Sequence, residues 1–192
     1  MNPCKLKTLA VLVLLQLFFV PRAEAAASLQ DCLDTLEKFK ELGNVPEMLA
    51  ESYGYAVLPT IGKGGIGIGG AGGTGCVFKQ GRHSGKVSMG QITIGWQLGG
   101  QAYSQIILLK NADTYDDFTA GRFEFGADAT AVALTYGAQA GVSTKGASAS
   151  AGETKGKGMW KRGMAVFTLS KGGLMYEASI GGQKFNFKPL KN

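Results

Sequence analysis

The chain of 192 residues is 45% hydrophobic and 18% charged, which suits one folded domain and excludes a disordered polypeptide. Its 30 glycines far exceed the ordinary share of about 7%, but only 5 prolines accompany them and no Gly-X-Y period is present, which excludes collagen. The net charge of +6 is segregated, since residues 52–112 hold five basic side chains and no acid. A basic surface of this kind predicts an anionic partner.

The N-terminal segment has the layout of a secretory signal peptide. Lys5 and Lys7 precede an apolar run over residues 9–20, and a small-residue site, Ala23-Glu24-Ala25, follows. We therefore expect residues 1–25 to be removed and residues 26–192 to form a single exported domain, periplasmic or secreted. In such a compartment Cys32 and Cys76 fit either a disulfide or two buried thiols, and the sequence leaves both open.

Helical periodicity comes first in the expected mature chain. Apolar residues recur at spacings of three and four from Ser28 to Leu42, and Gly43 ends the pattern. Asn44 then has the position of an N-cap, with Glu47 three residues later, which predicts a short helix to about Ser52. Residues 28–52 are thus predicted to be helical.

From residue 53 to 190 the patterns are mainly those of strands. A continuous apolar run predicts a buried strand at Tyr103–Leu109, and a short helix is predicted at Ala112–Ala120. Other strands are predicted at Ile92–Leu98, at Thr130–Tyr136 and, as a hairpin turning at residues 170–173, at Met164–Leu169 and Leu174–Ser179. The predicted fold class is α+β, with short N-terminal helices packed on a Gly-rich antiparallel β-barrel or sandwich.

Motifs for catalysis are weak. Residues 67–72 formally satisfy G-x-G-x-x-G, but a strand pattern follows where a nucleotide site needs a helix, and no acid lies about twenty residues on. His83 is the single histidine, and its neighbour Ser84 lies in no G-x-S-x-G elbow. We therefore predict no enzyme activity, no metal site and no cofactor.

Basic residues carry the predicted site. One cluster combines four cations with a tryptophan in a Gly-rich connection, and a second set of cations lies earlier in the chain. Cations that bind anionic head groups, next to an indole at the membrane interface, are typical of a loop that contacts lipid. The alternative is a solvated turn with the tryptophan folded into the core. The residues are Lys155, Lys157, Trp160, Lys161 and Arg162 in the first cluster, and Lys63, Lys79, Arg82 and Lys86 in the second.

An ordered succession of motifs between residues 29 and 189 resembles the SYLF domain family. The motifs are Val45-Pro46, the stretches 54–59, 64–70 and 73–75, and then 94–103, 123–129 and 173–182. The resemblance implies a non-enzymatic domain that binds phospholipid head groups, including phosphoinositides in animal members, and actin filaments in yeast members. The helix that matches the family's lipid-binding helix is net acidic here, which directs the expected lipid contact to the basic loops.

The predicted function is peripheral, non-enzymatic binding of anionic phospholipid at the cell envelope. The expected partner is the membrane surface, with no nucleic acid, and actin only if the protein reaches a host cell. Two alternatives stay open at this point: an integral outer-membrane β-barrel, because alternating strands are common to both, and a protein-interaction module that uses the same basic faces.

Overall fold

The computed structural model describes residues 26–122, 124–125, 134–136 and 160–191 of the chain. The predicted segment 1–25, the first part of the predicted strand at 130–136, and Lys155 and Lys157 lie outside these residues. The elements are helices α1 (Leu29–Lys40), α2 (Val45–Glu51) and α3 (Ala112–Thr119), and strands β1 (Gly54–Lys79), β2 (Arg82–Leu109), β3 (Glu124–Phe125), β4 (Leu134–Tyr136) and β5 (Met164–Pro189).

The three helices confirm the helical predictions. Ser28 caps α1 through a reciprocal capping box, in which its hydroxyl accepts from the Asp31 backbone N–H and the Asp31 carboxylate accepts from the Ser28 N–H. At α2 the expected position of the start is right, but the Asn44 side chain does not cap the helix. Its amide instead contacts the Met48 sulfur at 3.5 Å.

The sheet is built from three very long strands. Its order is β1-β2-β5-β3 with antiparallel pairing, and β4 pairs parallel to β5. The α+β class with an antiparallel, glycine-rich sheet is therefore confirmed. The described strands form an open sheet, with β1 and β3 at the two ends of the order, rather than the closed barrel named among the expectations.

The predicted hairpin between residues 164 and 179 is wrong. Instead of turning at residues 170–173, β5 continues as one strand and pairs with β2 from Met164 opposite Leu109 to Pro189 opposite Gly85. A register shift at Ala102/Tyr103 absorbs the irregularity where the glycines of β5 pass β2. Pairing along β2 satisfies the backbone groups that a turn would have left to solvent.

Glycine allows β1 to fold back over itself. A Cβ placed on Gly73 would lie 2.5 Å from the Thr60 carbonyl oxygen, and a Cβ on Gly75 would overlap the Val57 carbonyl oxygen. Only a residue without a side chain permits this close approach of two backbone segments. The first and last parts of β1 therefore pack together, and the sheet bends between them.

The bent sheet has two apolar faces. Its inner face encloses side chains such as Val77, Met89 and Ile107, closed by Tyr115 and Phe118 of α3. Its outer face, which includes Val57, Phe78, Ile106 and Leu108, is covered by α1 and α2. Cys32 of α1 and Cys76 of β1 form a disulfide across this outer layer, which settles the open question about the two cysteines.

A two-residue turn joins β1 to β2. Gln80 and Gly81 have φ values of 50° and 75°, between the paired residues Lys79 and Arg82. Positive φ at both central positions is the type I′ geometry that matches the twist of a hairpin. The turn lies beside the start of β1, because the Gln80 N–H donates to the Tyr53 carbonyl oxygen at 2.9 Å.

Candidate functional site

One end of the fold collects cations from three separate parts of the chain. Backbone hydrogen bonds link the segments in a row: the Tyr53 N–H donates to the Leu109 carbonyl at 2.8 Å, and the Lys110 N–H donates to the Gly163 carbonyl at 2.8 Å. The β1–β2 turn is bonded to Tyr53 in the same row. We call this region the basic end; it comprises Lys79, Arg82, Lys110, Lys161 and Arg162.

Aromatic rings support two of these cations. The Lys79 ammonium lies 5.5 Å from the Tyr53 ring centre and 5.2 Å from that of Tyr115. A hydrogen bond to the Tyr53 side chain is the largest cause that raises the pKa of Lys79, and Asp116 adds to it. These contacts favour the charged form of Lys79, which is held by two rings at the surface.

Trp160 lies beneath the basic end. Its side chain is half-buried and packs against the cluster that α1 covers, while the Lys110 ammonium lies 5.5 Å from the indole ring centre. The indole thus has both a core contact and a cation above it. The sequence left two alternatives open for Trp160, an indole beside cations in a lipid-contact loop and an indole folded into the core. Its position combines features of both.

A tight turn presents the next two predicted residues. Lys161 and Met164 exchange backbone hydrogen bonds of 2.8 and 2.9 Å, and Arg162 and Gly163 between them have φ values of 51° and 78°. Both Lys161 and Arg162 are exposed. The structure thus brings Trp160, Lys161 and Arg162 to the same end as Lys79 and Arg82, which the sequence had placed in a different cluster.

Lys86 lies apart from the basic end, on the outer face of the sheet. It is directly opposite Lys188 of β5, and both side chains are exposed. Side chains in such a pair have Cβ atoms about 5 Å apart, and like charges there destabilise the sheet. Among the residues that the structure describes, no carboxylate forms an ion pair with either lysine.

Sequence reasoning did not single out Lys188, although a signal was present. Residues 184–188 read Lys-Phe-Asn-Phe-Lys, a period of two that places both lysines on the outer face and both phenylalanines inside. The partner of Lys184 on β3 is Glu124, so Lys184 has an acidic neighbour that Lys188 lacks in the described register.

Lys63 is separated from all the other candidates. It is half-buried and pairs with Gln101 in the row of β1 and β2 that continues the inner face. Further along this face, the Gln183 amide donates to Gln91 at 3.2 Å and Gln105 approaches Gln183 at 3.5 Å. The predicted second cluster is thus divided between the basic end, the outer face and the polar interior.

A cavity of about 300 Å³ lies between α1 and the sheet. Burial and the nearby Lys38 lower the pKa of Lys171, which donates to the Thr60 hydroxyl at 2.9 Å. Asp31 and Asp34 also line the cavity, so its charge is mixed. The described part of the chain contains no group of His, Cys, Asp or Glu side chains that could hold a metal ion.

The sequence profile of the family described as Las17-binding protein actin regulator, Ysc84, matches residues 90–192. The match covers more than half of the chain. This protein belongs to the Ysc84 family. The family is the one that the SYLF resemblance indicated, so that recognition is confirmed.

The matched part of this Ysc84-family chain begins inside β2 and includes α3 and β5. It therefore contains Lys110, Trp160, Lys161, Arg162 and Lys188, whereas the first strand and both N-terminal helices precede it. No curated protein and no solved structure gives a significant match. None of the helices that the structure describes has both the length and the apolar character needed to cross a membrane.

Proposed function

We propose that this Ysc84-family protein is a non-enzymatic, peripheral binding domain for anionic phospholipid membranes. Membership of a family of binding domains supports a binding role in general. The specific choice of anionic phospholipid comes from the exposed cations, which lie at the basic end and on the outer face of the sheet.

The observation that carries the proposal is the pairing of Lys86 with Lys188. Two like charges directly opposite each other cost stability in an isolated sheet. An anionic head group between them would remove that repulsion and provide acceptors for both ammonium groups. The proposal thus explains a contact that packing alone disfavours.

Magnitudes limit what charge alone can do. Arg82 lies four residues before Lys86, and Lys191 follows Leu190, whose N–H donates to Ser84 at 3.1 Å. Together with Lys188 these basic residues make four cations. At about 1 kcal/mol for each basic residue near an anionic surface, they supply about 4 kcal/mol, a dissociation constant of about 1 mM. Electrostatic attraction therefore brings the protein to the surface, and useful affinity needs an apolar contribution as well.

Charge reversal tests this proposal. The double variant Lys86→Glu/Lys188→Glu should lose sedimentation with phosphatidylglycerol vesicles by at least about tenfold at low ionic strength, and wild-type binding should weaken as salt is added. Lys38→Glu/Lys40→Glu on α1 is the matched control, since it changes the net charge equally at another exposed site. Wild-type protein that ignores acidic vesicles would overturn the proposed function, and equal losses in both variants would overturn the assigned face.

Export to the periplasm, or secretion, remains part of the proposal. The Cys32–Cys76 disulfide supports an oxidising compartment, where such bonds persist. Fractionation of cells that express the full chain, with N-terminal sequencing of the product, tests this: an envelope product that begins near Ala26 is expected, and an unprocessed cytosolic product would contradict it.

A protein partner is the second candidate, favoured by the family's description as a Las17-binding actin regulator. The same basic end could bind an acidic protein surface through charge complementarity. Cosedimentation with actin filaments tests this directly, and the role applies only if the protein reaches a host cell. Binding to filaments with no binding to acidic vesicles would favour this candidate over the membrane.

A further inference from the structure

Three isoleucines at the bend of the β1–β2 hairpin are unusually exposed. The side chains of Ile66, Ile68 and Ile92 are 81%, 69% and 70% exposed. The other large hydrophobic residues that the structure describes as exposed, at positions 29, 33 and 190, reach only 42%, 38% and 44%. We call the three isoleucines the isoleucine tip.

Strand register places Ile68 and Ile92 of the isoleucine tip on one face. Ile92 lies opposite Gly70, so it shares a face with Gly70 and with Ile68 two residues before it. Ile66 precedes Ile68 by two residues on β1, across a register shift in the pairing with β2. The face that Ile68 and Ile92 share is the outer face, because the same alternation leads from Gly70 to Cys76, which contacts α1.

Glycines flank Ile92 on both neighbouring strands. Ile92 has Gly70 as its partner on β1 and Gly182 as its partner on β5. Side chains on a sheet normally bury part of their surface against cross-strand partners, and glycine offers none. The helices that cover the outer face near the strand ends, over Val57 and Phe78, leave the isoleucines accessible to solvent.

Ile68 and Ile92 of the tip share the outer face with the lysine pair. Lys86 and Ile92 are six residues apart on β2, so both side chains project to the same side at a separation of about 20 Å. The cationic pair and the apolar tip are both exposed to solvent, so a partner with anionic and apolar groups can contact both. An anionic bilayer has this combination, with phosphates at its surface and acyl chains a few ångströms below.

We infer that Ile66, Ile68 and Ile92 insert into the interfacial region of an anionic bilayer while Lys86 and Lys188 contact its head groups. The inference rests on the proposed function and adds the element that penetrates the membrane. Burial of each isoleucine side chain corresponds to about a tenfold gain in partitioning. The three together convert the weak attraction expected from charge into stable binding.

The first test compares two sets of serine substitutions in the full-length protein. Ile66→Ser/Ile68→Ser/Ile92→Ser should lower partitioning into phosphatidylglycerol vesicles by about 100-fold or more, and all three residues are exposed, so folding should persist. Leu29→Ser/Leu33→Ser on α1 is the matched control and should retain binding. If wild-type protein binds and the isoleucine variant binds equally well, the inference is overturned and the proposed function stands; if wild-type protein does not bind, the proposed function itself fails.

A second test measures depth. Vesicles whose phosphatidylglycerol carries bromine on its acyl chains should quench the tryptophan fluorescence of the Ile68→Trp variant. The quenching should be greater than for Leu33→Trp, which adds the same reporter on α1. Equal quenching of the two variants would contradict insertion of the tip. Light scattering of the wild-type and serine variants without lipid tests whether a second copy of the chain binds to the tip instead. A dimer that the isoleucine substitutions dissociate would assign the tip to this contact and overturn the inference.

Discussion

Cys32 of α1 is bonded to Cys76 of β1, so a covalent link holds the helical layer to the outer face of the sheet. The next residue inward along β1, Gly75, is the one that lies against the Val57 carbonyl. The disulfide therefore lies where β1 folds over itself, and it joins the helix to the place where the bend closes.

Reduction should destabilise the protein. The disulfide closes a loop with a sequence separation of 44 residues, for which the chain-entropy relation gives about 4 kcal/mol at 25 °C. Urea unfolding with and without dithiothreitol measures this difference. Cys32→Ala/Cys76→Ala should already be destabilised and insensitive to the reductant, and an unchanged midpoint in the reduced wild-type protein would contradict the prediction.

A side chain at Gly75 should disrupt the closure of the bend. Gly75→Ala forces a Cβ onto the Val57 carbonyl, so the free energy of unfolding should fall by about 2 kcal/mol or more. Gly90→Ala is the control, because a Cβ there meets nothing within 4 Å. Chemical denaturation of both variants measures the free energy of unfolding. Similar losses of stability in the two would show that the close approach at Gly75 does not cause the destabilisation.

Acid should weaken the start of α1. Hydrogen bonds from the Ser28 side chain and backbone lower the pKa of Asp31. A carboxylate whose pKa is lower in the folded state stabilises the protein above its unfolded pKa, and this contribution is lost as pH falls through the lower, folded value. As the pH falls below about 4, wild-type protein should therefore lose this stability. Asp31→Asn has no carboxylate at this position and should not show the loss.

Ser28→Ala offers a second check on the capping box, since it removes the strongest cause of the lowered pKa while leaving the carboxylate in place. Thermal unfolding should be measured for the three proteins across the acid range. The pH dependence of stability in Ser28→Ala should differ less from that of Asp31→Asn than the wild-type dependence does. Parallel pH profiles for all three proteins would contradict a role for this hydrogen bond.

Trp160→Ala separates the two roles considered for the indole. Its half-buried contact with the core cluster and its cation–π contact with Lys110 predict a loss of about 2 kcal/mol in the free energy of unfolding. Vesicle binding by the folded variant should persist. The reverse outcome, lost binding with unchanged stability, would identify Trp160 as an interfacial anchor. Trp160→Phe should recover part of the stability.

Local patterns were sufficient for the helices and for the buried strand at Tyr103–Leu109, because their signals lie within a few residues. The continuity of β5 was not predictable in the same way. Glycines at 172 and 173 fit a turn when read alone, and only the presence of β2 alongside makes them part of a strand. Strand length in this fold is decided by a partner far away in the sequence.

The candidate site shows the same division. Lys79 and Lys161 were identifiable as exposed cations from composition, but their arrival at one end depends on bonds that link Tyr53, Leu109 and Gly163 across the sheet. Lys188 could have been found from alternation alone. Its position opposite Lys86 could not, because register between β2 and β5 is a property of the assembled sheet.

The Gln80–Gly81 turn has a consequence for the bend of the hairpin. Strand side chains alternate, so a slip of one residue at this turn would send every outward side chain of β2 inward and every inward one outward. Gln91 would then face solvent, and its neighbour Ile92 would enter the interior. Two residues with left-handed backbone conformations thus determine, from about 40 Å away along the strand, whether the bend of the hairpin exposes apolar or polar side chains.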